Sequence, residues 1–304
     1  MAKPVIVDVV PHAGGILGFL LAAHCPGLDI RAVTVTVAPG EADMAAAFWL
    51  QRLLPPGVPL GRGASKPLIP LPCAAAFARG VRFPVPPPPP AAADPDHAWD
   101  VIAREASKAP GELELITLGP LTNAAIGVLR YPELSKTLKR ITMAGGSAHT
   151  GNASAYGEYS VAADPYAADA VFKSGVPITM IGIDGFAKTV VAREELASFA
   201  SRLPPAEGTI PGLFKRVLEW SLEDGLQGPD LHNLIAVAAV IDPGIASLSS
   251  HYIEIETRSS ISAGQTVTDL HHRSGKEPNA DILVDLSKEG FLRVLEEVLE
   301  RHGT

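Results

Sequence analysis

An α/β fold on an open, mostly parallel sheet is what three features of the sequence predict. Apolar β-branched runs such as Val5 to Val10 and Ile141 to Met143 read as buried parallel strands, each followed by a turn with small residues and a helical stretch. These strand-turn-helix units recur in tandem, which favours a parallel sheet covered by helices. With 47% hydrophobic and 19% charged residues in 304 positions, the chain has ample material for a core, in one large domain or two smaller ones.

The elements follow in order. Val5 to Val10 is a strand, and Pro11-His12-Ala13-Gly14-Gly15 ends it before a helix over Ile16 to His24. Ala32 to Val37 repeats the strand signature, and Glu41 to Leu54 has helical composition up to the Pro55-Pro56 break. Residues 61–93 lack periodicity and read as a surface excursion. They contain five consecutive prolines, Pro86 to Pro90, which favour polyproline II; a stiff connector is the expectation, an SH3-like ligand the alternative. Asp100 to Ala109 is a helix, Leu113 to Leu118 a strand, and Gly119-Pro120-Leu121-Thr122-Asn123 a turn capping the helix Ala124 to Arg130. After the strand Ile141 to Met143 come a helix at Pro165 to Ser174 and a strand at Val176 to Ile183. Glu194 to Arg202, Gly212 to Asp224 and His232 to Ile241 follow as helices. Ser250 to Arg258 and Ala280 to Asp285 read as strands, and Lys288 to His302 as a closing amphipathic helix.

Charge and cysteine usage narrow the function. A net charge of −8 leaves no basic footprint for nucleic acid, and no stretch approaches the roughly 20 apolar residues that span a bilayer. The amino terminus lacks a framed cleavage site, and Asp8 soon interrupts its apolar run, so a cytoplasmic protein is expected. Cys25 and Cys73 stand far apart without CxxC or histidine company, which suggests buried small residues rather than a disulfide or zinc site.

The stretch 141–165 is the natural centre of a site. A strand empties into Ala144-Gly145-Gly146 and a loop with Asn152, Glu158 and Ser160, and ligands bind at the carboxyl ends of strands in open α/β sheets. Composition alone favours an ordinary strand followed by a polar surface loop. His232-Asn233 opens an apolar helix, where free amides and the helix dipole favour polar contacts with a ligand.

Gly119-Pro120-Leu121-Thr122-Asn123, Met143-Ala144-Gly145-Gly146, Gly151-Asn152 through Glu158 to Asp164-Pro165, Gly182-Ile183-Asp184 and His232 form a collinear series. In that series the chain resembles the nucleoside hydrolases, the inosine–uridine-preferring N-ribohydrolase family. The resemblance implies a nucleoside hydrolase fold over residues 1–304, an open mixed sheet with a Rossmann-like core, and assembly as a homodimer or homotetramer. It also implies hydrolysis of the bond between ribose and base. In that family an aspartate cluster holds calcium, which grips the ribose hydroxyls and a water, and an aspartate takes the water's proton. A hard dication wants several carboxylate oxygens and lowers the pKa of bound water, so that cluster suits the chemistry.

This sequence departs from the pattern in a systematic way. The family motif is Asp-x-Asp-Pro-Gly-x-Asp-Asp, whereas residues 8–15 read Asp8-Val9-Val10-Pro11-His12-Ala13-Gly14-Gly15, so only the first aspartate survives. The His-Asp pair near the carboxyl end is His232-Asn233, the family's Asn after the second strand falls on Pro39, and the Asn of Glu-Phe-Asn is Ser160. Asn152, Glu158 and His232 are retained: by resemblance the first two contact ribose and His232 protonates the departing base. Ser160, Asn233, Asp8 and His12 complete the expected substrate-binding set. Calcium binding is expected to be weak or absent, and no cofactor is expected. A transition-metal site from Asp8, His12 and His232 is the alternative, since zinc accepts imidazole and carboxylate. Asp8 is more readily a carboxylate held by turn amides than a cation ligand, and Asp184 either anchors a neighbouring loop or touches ligand. Three functions stand: an N-glycosidic hydrolase whose calcium mechanism is lost or replaced, a non-catalytic nucleoside- or sugar-binding protein, or a structural subunit that docks through its proline run.

Overall fold

A computed structural model of the chain describes residues 2–35, 49–70, 96–185, 191–205, 208–223 and 231–300. Its main sheet has eight strands: β1 (Lys3–Val9), β2 (Leu28–Val35), β3 (Leu60–Arg62), β4 (Glu114–Leu118), β5 (Arg140–Ala144), β6 (Ile178–Ile181), β7 (Ala246–His251) and β10 (Ala280–Leu286). The spatial order is β3-β2-β1-β4-β5-β6-β10-β7; every pairing is parallel except β10 with β7. Strands β8 (Ile253–Ile255) and β9 (Thr266–Thr268) form a separate antiparallel pair.

Ten helices are described: α1 (Ala13–His24), α2 (Ala98–Lys108), α3 (Thr122–Arg130), α4 (Leu134–Thr137), α5 (Tyr159–Ala163), α6 (Pro165–Phe172), α7 (Arg193–Arg202), α8 (Ile210–Glu223), α9 (Leu231–Ile241) and α10 (Lys288–Leu299). They cover both faces of the sheet. Val5, Val7 and Val9 of β1 share one core with α1, α7, α8, α9 and α10, while Ile6 joins the core built with α2, α3 and α6. This two-sided burial is why the inner strands read as nearly continuous apolar runs. Helix α1 is buried almost all round, as expected of a helix apolar on every side. Gly18 lets it lie close to α9, because a Cβ there would stand 2.9 Å from Leu118 Cδ1 and 3.1 Å from the Asn233 carbonyl oxygen. That packing holds the start of α9, and with it His232 and Asn233, near Leu118 at the carboxyl end of β4.

The α/β sheet is the one the sequence predicts, with corrections at element ends. Helix α1 starts three residues early, since His12 caps it through Gly15. Thr122 and Asn123 lie inside α3 instead of capping it; Leu121 precedes it without a side-chain cap. Gly61 and Arg62, expected in an aperiodic segment, pair with β2. The single strand expected over Ser250 to Arg258 is two, β7 and β8, in different sheets, and the short α5 and β9 carried no periodic signal. Most of the Glu41 to Leu54 helix, Pro39, Cys73, the Pro86 to Pro90 run and His302 lie outside the described residues. Cys25 is buried, as expected. No described helix is long and apolar enough to cross a membrane.

Candidate active site

The carboxyl ends of β1, β5 and β6 and the start of α9 build the site. After β5 the chain passes through Gly145 and Gly146, both at positive φ (141° and 80°), a conformation that glycine adopts without penalty. The turn aims the Gly146 amide at Glu158, whose Oε2 accepts it at 2.8 Å. The same oxygen caps α5 by accepting the Ser160 and Val161 amides at 2.9 and 3.4 Å. One half of the carboxylate is thus fixed by backbone donors, and Oε1 turns toward His232, 3.9 Å from its Nε2. Both side chains are enclosed, 0% and 3% exposed. Asn233 lies next to this pair, its Nδ2 3.5 Å from His232 Nε2.

The other expected residues fall into two groups. Asn152 Oδ1 accepts the Tyr159 amide at 2.8 Å, which leaves its Nδ2 hydrogens as the groups it can offer a ligand. Ser160 is buried in the first turn of α5. His12 Nδ1 accepts the Gly15 amide at 3.1 Å, and its ring stands edge-on to Tyr159 with centroids 6.2 Å apart. Glu158, His232 and Asn233 are thus brought together, with Ser160 on the amide side of Glu158, while Asn152 and His12 each meet Tyr159, the residue that follows Glu158. Asp8 is set apart from them. It is fully buried within the sheet, and its Oδ1 accepts from Thr34 Oγ1 at 2.6 Å and Asn123 Nδ2 at 2.9 Å. Its Oδ2 has no hydrogen-bond partner among the described residues, and burial raises its pKa to about 6.

A second buried network escaped sequence reasoning. Asp164 caps α6 through the Ala167 amide and also accepts from Thr122 Oγ1 and the Leu68 amide. Asn123, besides holding Asp8, donates to the Val35 carbonyl and accepts from the Ala64 amide. The Asp164-Pro165 pair is visible in the sequence as a helix start, but its long-range partners are not. Asp184 proves to be an anchor: its Oδ2 accepts from Ser147 Oγ and from the amide of His149, and pairs with the His149 ring.

The residues at the β1 end do not fit the calcium ion that the family resemblance implies. Val10 has no side-chain oxygen, Gly14 and Gly15 have no side chains, and Asn233 is neutral, whereas Ca²⁺ affinity rests on ligand charge and number. The backbone has closed as well, because a Cβ at Gly15 would overlap the Val10 carbonyl oxygen. Among the described residues, no three His, Cys, Asp or Glu side chains group as metal ligands, so Asp8, His12 and His232 do not assemble the alternative transition-metal site.

Comparisons with known proteins identify the family and the fold. Pyrimidine-specific ribonucleoside hydrolases RihA of Citrobacter koseri and Photobacterium profundum are 29% and 30% identical, over 98% and 99% of this chain and 98% and 100% of their own. The solved structure of a plant nucleoside hydrolase, PpNRh1, has the same fold, with a TM-score of 0.82 at 21% identity over 99% of this chain and 100% of that one. The family profile described as inosine-uridine preferring nucleoside hydrolase matches residues 5–293, and the chain belongs to that family.

Proposed function

We propose that this chain binds a nucleoside at the locus of His232, Glu158 and Asn152 and hydrolyses its N-glycosidic bond without a resident calcium ion. The enclosed His232–Glu158 pair beside Asn152 is the observation that carries the reading. Its near relatives are named as pyrimidine-specific, so uridine is the substrate to try first. In this mechanism His232 gives a proton to the departing base, and Asn152 holds the sugar through its amide hydrogens. Water then attacks the sugar cation and passes its proton to a carboxylate. Glu158 is the carboxylate at hand, since its Oε1 faces His232 while Asp8 is closed off inside the sheet. The chain works in the cytoplasm as a homodimer or homotetramer; its charge of −8 argues against nucleic acid as a partner.

A second reading, a non-catalytic nucleoside or sugar binder, is favoured by the empty carboxylate positions at Val10, Gly14, Gly15 and Asn233. Incubation with uridine and inosine, with and without Ca²⁺, Zn²⁺, Mn²⁺ or chelator, separates the two. Release of base that survives the chelator supports the enzyme. A thermal shift without release supports the binder, since a ligand at a hundred times its Kd adds about 2.7 kcal/mol. Neither release nor shift sinks both.

A further inference from the structure

Asp184 holds the start of the site's loop, as Glu158 holds its end. From the end of β6, its Oδ2 accepts from Ser147 Oγ at 3.0 Å and from the His149 amide at 2.8 Å, and lies 3.0 Å from His149 Nδ1. A carboxylate only accepts, so His149 carries its proton on Nδ1. Ser147 Oγ, oriented by that bond, accepts the His149 and Thr150 amides at 3.2 and 2.9 Å. One carboxylate oxygen thereby sets residues 147–150, the stem of the loop.

The tip of the loop is rigid in its own right. The Gly157 carbonyl accepts the amides of Asn152, Ala153 and Ser154 at 3.1 to 3.2 Å, and Ser154 Oγ accepts the Gly157 amide at 2.9 Å. A Cβ at Gly151 would strike the backbone of Ser154 and Gly157, so the turn is as tight as glycine permits. A rigid tip on a pinned stem moves as one body. Asn152 rides on that tip and reaches the site through the Tyr159 amide. A further tie to the stem, Thr266, bonds the amide and carbonyl of Ser147, while Asp184 holds His149 directly and Thr150 through Ser147 Oγ.

We propose that Asp184 is a positioning residue for ligand recognition, fixing the 147–150 stem and so the placement of Asn152 over the site. The effect on ligand rests on the reading given under Proposed function, whereas the anchoring does not, and the test keeps them apart. Amide hydrogen exchange on the full, ligand-free chain is compared with that of Asp184→Ala and of Asp184→Asn, which keeps one oxygen to accept from Ser147 Oγ and the His149 amide. Exchange across residues 147–158 should rise roughly tenfold or more in Asp184→Ala and by less in Asp184→Asn, with β1 and β4 unchanged. Unaltered exchange in that segment overturns the proposal.

Uridine is the probe for the second arm, in a cycle of Asp184→Ala, Asn152→Ala and the double variant. If Asp184 acts through Asn152, the double variant binds no more weakly than Asn152→Ala alone. Losses that multiply would show that Asp184 acts elsewhere and contradict the proposal. If the unaltered chain does not bind uridine, the functional reading fails on that substrate, and the exchange result still decides the anchoring.

Discussion

The loops after β1 and β5 meet where the His12 ring stands against Tyr159, and they differ in what their side chains do. After β5, Glu158 is held by three backbone amides, Asn152 by another, and Ser147 and His149 by Asp184. After β1, the family's carboxylate positions are Val10, Gly14 and Gly15, and the backbone has folded into the space where a side chain at Gly15 would begin. The difference teaches that the two halves of the site are separable. The sugar half is woven into helix caps and turns, so its polar groups also hold the fold. The β1 turn carries no such carboxylates and is capped by His12, so the scaffold there does not depend on acidic side chains.

The largest expected effect comes from Glu158→Ala. It strips the partner from the amides of Gly146, Ser160 and Val161 in a buried site, which costs about 3–5 kcal/mol, read as a lower denaturant midpoint. A loss under about 1 kcal/mol would mean that this loop is as dispensable as the one after β1.

Next in size is the pH dependence that Asp8 confers. Its carboxyl is raised from 3.8 to about 6 by burial, so the folded chain holds this proton more tightly than the unfolded one. The stability it contributes is complete below the unfolded value and is lost as pH rises through the folded one. The full loss is about 3 kcal/mol, of which about 2 kcal/mol falls between about pH 4.5 and 7.5. Asp8→Asn should remove this slope, as measured by urea denaturation across that range; equal slopes in both proteins would show Asp8 ionised throughout. Asp164, also raised by burial, adds a slope of the same sign in both proteins.

Gly15→Asp follows, at about 2 kcal/mol of destabilisation, because its Cβ overlaps the Val10 carbonyl. If this variant is as stable as the parent, the β1 loop is open and the lost carboxylates are a matter of side chains alone. The smallest effect is that of Asn152→Ala on stability, about 0.5–1 kcal/mol for one hydrogen bond at an exposed position, in contrast with Glu158 on the same loop.

Much of the fold was legible in the sequence because buried parallel strands and long helices write themselves as apolar runs. Strand β1, helix α7 and helix α9 each fall within about two residues of their expected limits. Strands of three residues, such as β8 and β9, are too short to show a period, and β7 and β8 run together because only Tyr252 separates them. In the site, the loss of acid groups could be read directly from Val10, Gly14, Gly15 and Asn233. Partnerships across the chain could not: Thr122 and Asn123 look like local caps, yet they serve Asp164 and Asp8, 42 and 115 residues away. Asp184 likewise carries no local mark of the loop that it holds 35 residues upstream.

Calorimetric titration of the purified, chelator-treated chain with calcium tests the central claim most directly. With its anionic ligands gone from the β1 turn and from position 233, the chain should give no saturable heat at millimolar calcium, with or without uridine. Stoichiometric, saturable calcium binding that Asn233→Ala abolishes would contradict the account.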